Sequence, residues 1–202
     1  TVTLDDFAET DGIFFFGQNV GTSSPRMLHD LQDASRRGVP IVTFNPLRER
    51  GLVEFDNPQN PVDMLTPGAT RISSQYHQVK TGGDTAALFG ICKALIAADD
   101  AAQRSGAARI LDVAFINRHT QGFEEFAAAV RSKDWYDLER RSGLTRNAME
   151  AAAAVYRSAT AAMGVYGMGL TQHRHGVETV QMIVNLLLLR GNIGKPGAGI
   201  LP

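Results

Sequence analysis

The residues in this sequence that could do chemistry sit in short polar turns. Asp84 follows Gly82-Gly83 and precedes an apolar stretch. A carboxylate placed so has two readings. It caps the helix that follows, or it accepts the adjacent N1–H and N2–H₂ donors of a guanine, a planar bidentate match that adenine does not offer. Gly17-Gln18-Asn19-Val20-Gly21-Thr22-Ser23-Ser24 is a second such turn. Its glycines let backbone approach a ligand, and a helix after it would turn free N–H groups toward a phosphate. The plainer reading is that Gly17 and Gly21 only permit a tight turn. The loop does not match G-x-G-x-x-G, and Asn45 stands where a nicotinamide-binding domain usually carries a ribose-binding carboxylate, so an ordinary NAD site is disfavoured. His173-Arg174-His175 has a metal-like spacing without a second group of ligands, and Cys92 falls on an apolar helix face as a core residue. His29, His77 and His119 lie in unrelated segments, Glu124-Glu125 reads as a solvated pair, and no Ser/His/Asp set has the context of a nucleophile elbow. The residues thus predict a binding site with no catalytic and no metal-ligating group of its own.

Composition narrows the partners. The 202 residues carry 20 Lys+Arg against 21 Asp+Glu, a formal charge of −1, which leaves no electrostatic footprint for nucleic acid or an anionic membrane. Hydrophobic residues make up 44%, enough for a sizeable core. The apolar run from Ile183 to Leu189 is interrupted at Asn185 and far short of the ~20 residues that span a bilayer. A single cysteine excludes a disulfide framework within the chain and a cysteine-based zinc or iron–sulfur site. The chain opens at Thr1 without a signal pattern and stops after a glycine-rich stretch, so it reads as a domain excised from a longer chain, with a cytoplasmic location expected.

The elements that must position these turns follow from hydrophobic patterning. Asp11–Gly17 contains a continuous apolar run and Val39–Phe44 another, both the pattern of strands covered on two faces. Between them Ser24-Pro25 reads as N-cap and first residue of a helix with Met27, Leu28 and Leu31 on one face. Strand, helix and strand in this span make a βαβ unit with parallel strands. A less regular stretch with Pro58, Pro61 and Pro67 surrounds a short strand near Leu52–Phe55. Ser74–Lys80 reads as a strand, and a helix with Leu88, Ile91, Cys92 and Leu95 inward follows Asp84. Residues 99–142 read as mostly helical. Thr145 caps an alanine-rich helix with apolar positions 148, 152, 155, 156 and 159; Met163–Tyr166 is a strand; and Gly176–Arg190 is a helix burying Val177, Val180, Val184, Leu187 and Leu188. The fold class is α/β: a three-layer, open, mostly parallel sheet with helices on both faces, residues 1–202 forming a single domain. In such a sheet the turns 17–24, 45–46, 81–84 and 167–172 all fall at the carboxyl ends of strands, where ligands bind.

These same turns resemble segments of the molybdopterin oxidoreductase family, of the dimethyl-sulfoxide-reductase and formate-dehydrogenase-alpha type. Gly17-Gln18-Asn19 followed by Ser24-Pro25 resembles the family's G-S-N…H-P, and Phe44-Asn45-Pro46-Leu47-Arg48 stands where the family usually has I-D-P-R. Lys80-Thr81-Gly82-Gly83-Asp84-Thr85-Ala86-Ala87-Leu88 is similar to P-G-T-D-x-A-L, and His119-Thr120-Gln121-Gly122-Phe123-Glu124-Glu125 to H-T-x-G-F-E-E. Tyr166-Gly167-Met168-Gly169-Leu170-Thr171-Gln172-His173, continued by Gly191-Asn192-Ile193-Gly194-Lys195-Pro196-Gly197-Ala198-Gly199, is the most specific match.

The resemblance implies a domain of a larger catalytic subunit in which molybdenum or tungsten is held by two molybdopterin guanine dinucleotides, with an iron–sulfur cluster allowed outside this segment. It implies that Gly17, Asn19 and Thr22 approach the pyrophosphate and ribose, that Asn45 and Arg48 lie near the guanosine, that Gly82 and Gly83 form the turn before Asp84, which reads guanine, and that Met168 and Gln172 lie toward the pterin. Asn45 replaces the family's aspartate and Leu47 its arginine, so the guanosine contacts lose one charge-assisted bond and one cation, unless Arg48 supplies the latter. The metal ligand and the remaining domains of the parent chain lie outside the sequence, and the piece alone is expected to be inactive. Two alternatives stay open: a nucleotide-binding middle domain of a thiamine-diphosphate-type enzyme, and an interface module that has lost cofactor binding.

Overall fold

In a computed structural model, which describes residues 2–57 and 68–202, side-chain alternation along β1 (Gly12–Phe16) sets the architecture. Ile13 and Phe15 enter one apolar cluster, Phe14 and Phe16 the other, and all four are buried. A strand with no wet face must be central, and β1 is the middle of five. The order is β5-β2-β1-β6-β7, with β2 Ile41–Phe44, β5 Gln75–His77, β6 Ala162–Tyr166 and β7 Gly199–Leu201. Every pairing in it is parallel, with Ile13 opposite Ile41 on one side and Met163 on the other.

One layer is thin: α2 (Met27–Arg36) lays Leu28 and Leu31 against Ile13, Phe15 and Val165. The other is thick, built by α4 (Asp84–Ser105), α5 (Val113–His119), α6 (Phe123–Ser132), α7 (Trp135–Ser142), α8 (Arg146–Ser158) and α10 (Gly176–Leu188) over Phe14, Phe16, Val42 and Phe44. The expected three-layer α/β architecture is the observed one. Short helices α1 (Val20–Ser23), α3 (Arg50–Val53) and α9 (Met168–Thr171) follow β1, β2 and β6, and a two-stranded antiparallel ribbon, β3 (Glu54–Phe55) with β4 (Thr70–Arg71), precedes β5.

Several local expectations need correction. The helix after β1 does not begin at Ser24-Pro25. Asn19 caps the extra turn α1, its side-chain oxygen accepting the Thr22 N–H at 3.2 Å, and α2 starts only at Met27. The first half of the strand expected at 52–55 is the helix α3, and Pro58, Pro61 and Pro67 lie outside the described residues. In α10 the buried face is Thr179, Met182, Ile183, Leu186 and Leu187, while Val177 is 76% exposed. Ile183 fixes that rotation, because its methyl packs on Gly164 of β6 so closely that a Cβ there would lie 2.9 Å away. In α8 the buried positions are likewise Met149, Ala152, Ala153 and Tyr156, turned slightly from the expected face.

Two buried side chains, Tyr156 and Asp99, are tied into hydrogen-bond networks. Tyr156 donates its hydroxyl hydrogen to the Leu186 carbonyl at 2.7 Å, and the Asn192 side chain donates to Tyr156 at 2.8 Å while accepting the Ala162 N–H at 3.2 Å. The start of β6 is thereby tied to α8 and to the segment after α10. Asp99, 2% exposed, accepts both the Arg109 guanidinium and the N–H groups of Ile110 and Leu111, which fixes the exit of α4.

Candidate functional site

The chain leaves β1 toward β2 on one side and leaves β6 toward β7 on the other, so the turns after β1 and β6 diverge. Such a switch point opens a crevice at the carboxyl edge of a parallel sheet. Here it is a cavity of about 610 Å³ between the turns that follow β1, β2 and β6. Gly17 has φ +57°, a conformation that favours glycine, and a Cβ on Gly169 would lie 2.6 Å from the Gly17 carbonyl oxygen. The two turns cross backbone against backbone, which only glycine at both positions allows.

Of the residues predicted to bind, Gly17, Asn19, Asn45 and Met168 line this cavity. Thr22, Arg48 and Gln172 are exposed on its flanks without lining it, and Gly82, Gly83 and Asp84 form a separate corner. Gln18, Gly169 and Thr171, within the turns 17–24 and 167–172, also line it, as do Glu49 and Tyr166, which lie outside the predicted turns. Tyr166 ends β6 and Gln18 sits two residues beyond β1, so adjacency to a strand end was the available signal. Leu47 at 67% and Met168 at 64% exposure place apolar side chains at the rim, an arrangement suited to a ligand or a covering surface.

Asn45 is buried and does structural work. Its amide donates to the Leu47 carbonyl at 2.8 Å, the same carbonyl that accepts the Tyr76 hydroxyl at 2.7 Å, and Tyr76 in turn accepts the Glu49 N–H at 2.9 Å. An aspartate could not donate in that turn. His77 stacks on Phe44 with centroids 5.0 Å apart, and its burial pulls the imidazole pKa down.

Asp84 lies at the carboxyl edge too, after β5. It is the first residue of α4, and the N-cap is Gly83, so the N-cap reading is corrected. Asp84 is 6% exposed, and its Oδ1 has no hydrogen-bond partner among the described residues. Burial pushes its pKa up to about 6, against the smaller opposing pulls of its own backbone N–H and of His173. The turn before it is fixed by glycines: Gly82 has φ +77°, and a Cβ on Gly83 would lie 2.7 Å from the Arg141 carbonyl oxygen. The Thr85 and Thr179 hydroxyls meet at 2.6 Å, and Thr179 also donates to the His175 carbonyl at 2.9 Å, clasping this corner to the turn after β6. The His173 ring lies beside Gly82, 3.9 Å from where its Cβ would be.

The crevice offers backbone and small residues to a ligand, and the separate corner after β5 holds a buried carboxylate oxygen that can accept from a donor. Among the described residues no three His, Cys, Asp or Glu side chains gather as a metal site. Cys92 is wholly buried and its thiol is pushed up to about 12, which keeps it protonated.

Comparison with known proteins identifies a matching family. The family model described as molybdopterin oxidoreductase matches residues 1–201. Protein YdeP of Escherichia coli (strain K12) is 48% identical over 202 residues, all of this chain and 27% of that protein. Formate dehydrogenase H of the same strain is 29% identical over 199 residues, 98% of this chain and 24% of that protein. Acetylene hydratase from Pelobacter acetylenicus has the same fold, with a TM-score of 0.75 and 18% identity over 96% of this chain and 23% of its own. The chain thus spans about a quarter of the length of the relatives it matches.

Proposed function

Since the chain belongs to the molybdopterin oxidoreductase family, we propose that it is the part of such an enzyme that holds one molybdopterin guanine dinucleotide. The observation that carries this reading is the buried, unpartnered Oδ1 of Asp84. An isolated buried acceptor costs free energy unless something donates to it. Guanine presents two adjacent N–H donors in one plane, and a carboxylate accepts both. The residues present therefore fit the group.

In this reading Asp84 takes the base, in the turn that Gly82 and Gly83 make possible. Asn45 and Arg48 lie near the guanosine, with the Asn45 carbonyl oxygen available to a hydroxyl or an N–H while its amide nitrogen holds the Leu47 turn. Gly17, Asn19 and Thr22 serve the pyrophosphate and ribose, and Met168 and Gln172 the pterin end. When bound, the cofactor supplies a molybdenum or tungsten centre for redox chemistry, its metal ligand coming from outside these residues. This chain orients the cofactor and shields one flank of it from water. The parent enzyme is read as an oxidoreductase resembling formate dehydrogenase, a reading supported by the 29% identity to formate dehydrogenase H.

The test uses the full-length protein: metal content, and guanine nucleotide released by acid. The wild type should carry both. Asp84→Lys places an ammonium against the base and should lower guanine content at least tenfold with the fold intact by circular dichroism. Retention of guanine by that variant would remove Asp84 from the reading, and a wild type without guanine nucleotide would remove the reading itself.

A further inference from the structure

Far from the carboxyl edge, a groove of about 410 Å³ runs along the outer helical layer where α4 meets α7 and α8. It starts at Lys93, nine residues along α4 from Asp84, or roughly 14 Å at 1.5 Å per residue. Its apolar lining includes the buried Leu95 and Ala153, with Ala97, Ala98 and Ala154 beside them, and Trp135, the chain's single tryptophan. Half-buried tryptophan beside these small residues offers an apolar seat at the outer surface. Two cations bracket the ring: the Arg146 guanidinium lies 4.9 Å from its centroid and the Lys93 ammonium 6.0 Å.

The charges are unequal. Both acidic residues of the groove are engaged, Asp100 with Arg131 at 2.8 Å and Glu150 with Arg146 at 2.7 Å. Lys93 donates to the Arg131 carbonyl at 2.6 Å and, like Arg157, has no ion pair among the described residues. Two basic groups thus remain uncompensated along an apolar lining, in a chain whose overall charge is −1.

We propose that this groove seats an acidic segment of the same polypeptide, lying outside residues 1–202. Charge complementarity sets the chemistry: carboxylates toward Lys93 and Arg157, an apolar side chain against Trp135. Size sets the source. About a dozen residues line the groove, whereas a stable interface with a separate protein engages roughly 20–30 residues a side. A tethered segment needs far less, because a flexible connection holds it at an effective concentration on the order of millimolar. Relatives about four times as long supply ample chain for it.

The experiment is zero-length carbodiimide cross-linking of the full-length protein, followed by peptide mass spectrometry of the monomer band. Lys93 is expected to join an Asp or Glu outside residues 1–202 of the same molecule. Lys93→Arg should abolish that link while keeping the charge. Arg157→Glu should cut its yield at least fivefold and leave guanine content unchanged. The proposal is overturned if Lys93 links only to carboxylates within residues 1–202, if it links to a second copy or another protein, or if it forms no link although acetic anhydride acylates it as fast as an exposed lysine.

Discussion

At the scale of single residues, Asp84 carries the most consequence. Its folded-state pKa, about 6, lies above the ordinary 3.8 because burial disfavours the charged form. The folded carboxyl therefore keeps its proton through a window in which the unfolded chain has released it. Stability of the cofactor-free protein should fall as pH rises through that window, from about 4 to about 6, and stay low above it. A gap of about two units corresponds to on the order of 3 kcal/mol. Asp84→Asn removes the charge, so urea unfolding of the cofactor-free variant should show it more stable than wild type by roughly 2–3 kcal/mol at pH 7.5, with a shallower slope between pH 4 and 6. Parallel pH curves for the two proteins would show that the carboxylate has another partner in solution. The same variant should hold guanine roughly tenfold to a hundredfold less tightly, since an amide cannot accept both donors. Gain in stability with loss of binding is the signature of a group kept for a ligand.

Elements transmit such positions through backbone contact and buried hydrogen bonds. The turns after β1 and β6 touch at Gly17 and Gly169, where neither side is a flexible side chain that could yield. Gly169→Ala is expected to cost about 1–3 kcal/mol and to distort the crevice, read as lower thermal stability together with reduced cofactor content. Unchanged content would show that the turns separate without harm. Asn192 works from the opposite end of β6. Asn192→Ala leaves the Ala162 N–H unpartnered and takes a donor from Tyr156, and should cost about 2–3 kcal/mol in denaturant unfolding. Asn192→Asp keeps the acceptor but places a carboxylate in a wholly buried site, and should cost at least as much as the alanine above pH 6.

For the whole molecule, one strand feeds two cores. Phe15 belongs to the α2 side and Phe14 to the side of α4, α8 and α10, where its ring meets Tyr156 edge-on at 5.5 Å. Phe14→Ala and Phe15→Ala should each cost about 3–5 kcal/mol. Because the sheet is shared, both should shift a single cooperative transition, with Trp135 fluorescence and far-ultraviolet circular dichroism coincident. Two resolved transitions would mean that the thin and thick layers unfold separately.

How much of this was legible beforehand differs between particular residues. The apolar runs at Gly12–Phe16 and Ile41–Phe44 announced central parallel strands, because a strand buried on both faces has no polar alternation to show. The turns after β1, β2 and β6 announced the cavity found between them, and the order of the turns along the chain resembled the right family. The start of α2 was misread because Ser24-Pro25 is a sound local cap, overridden by Asn19 five residues earlier. Val177 was placed inward because periodicity gives a helix its apolar stripe but not its rotation against a neighbour, which Gly164 decided. Asn45 looked like a weakened ligand contact, and only the fold revealed its amide holding the Leu47 carbonyl. Residue types and their spacing along the chain determined the family, the sheet and the edge at which its polar turns gather. Burial and partnership between segments distant in sequence are properties of three-dimensional proximity, so only the folded arrangement could leave one oxygen of Asp84 unsatisfied, and Lys93 and Arg157 without an ion pair, among the described residues.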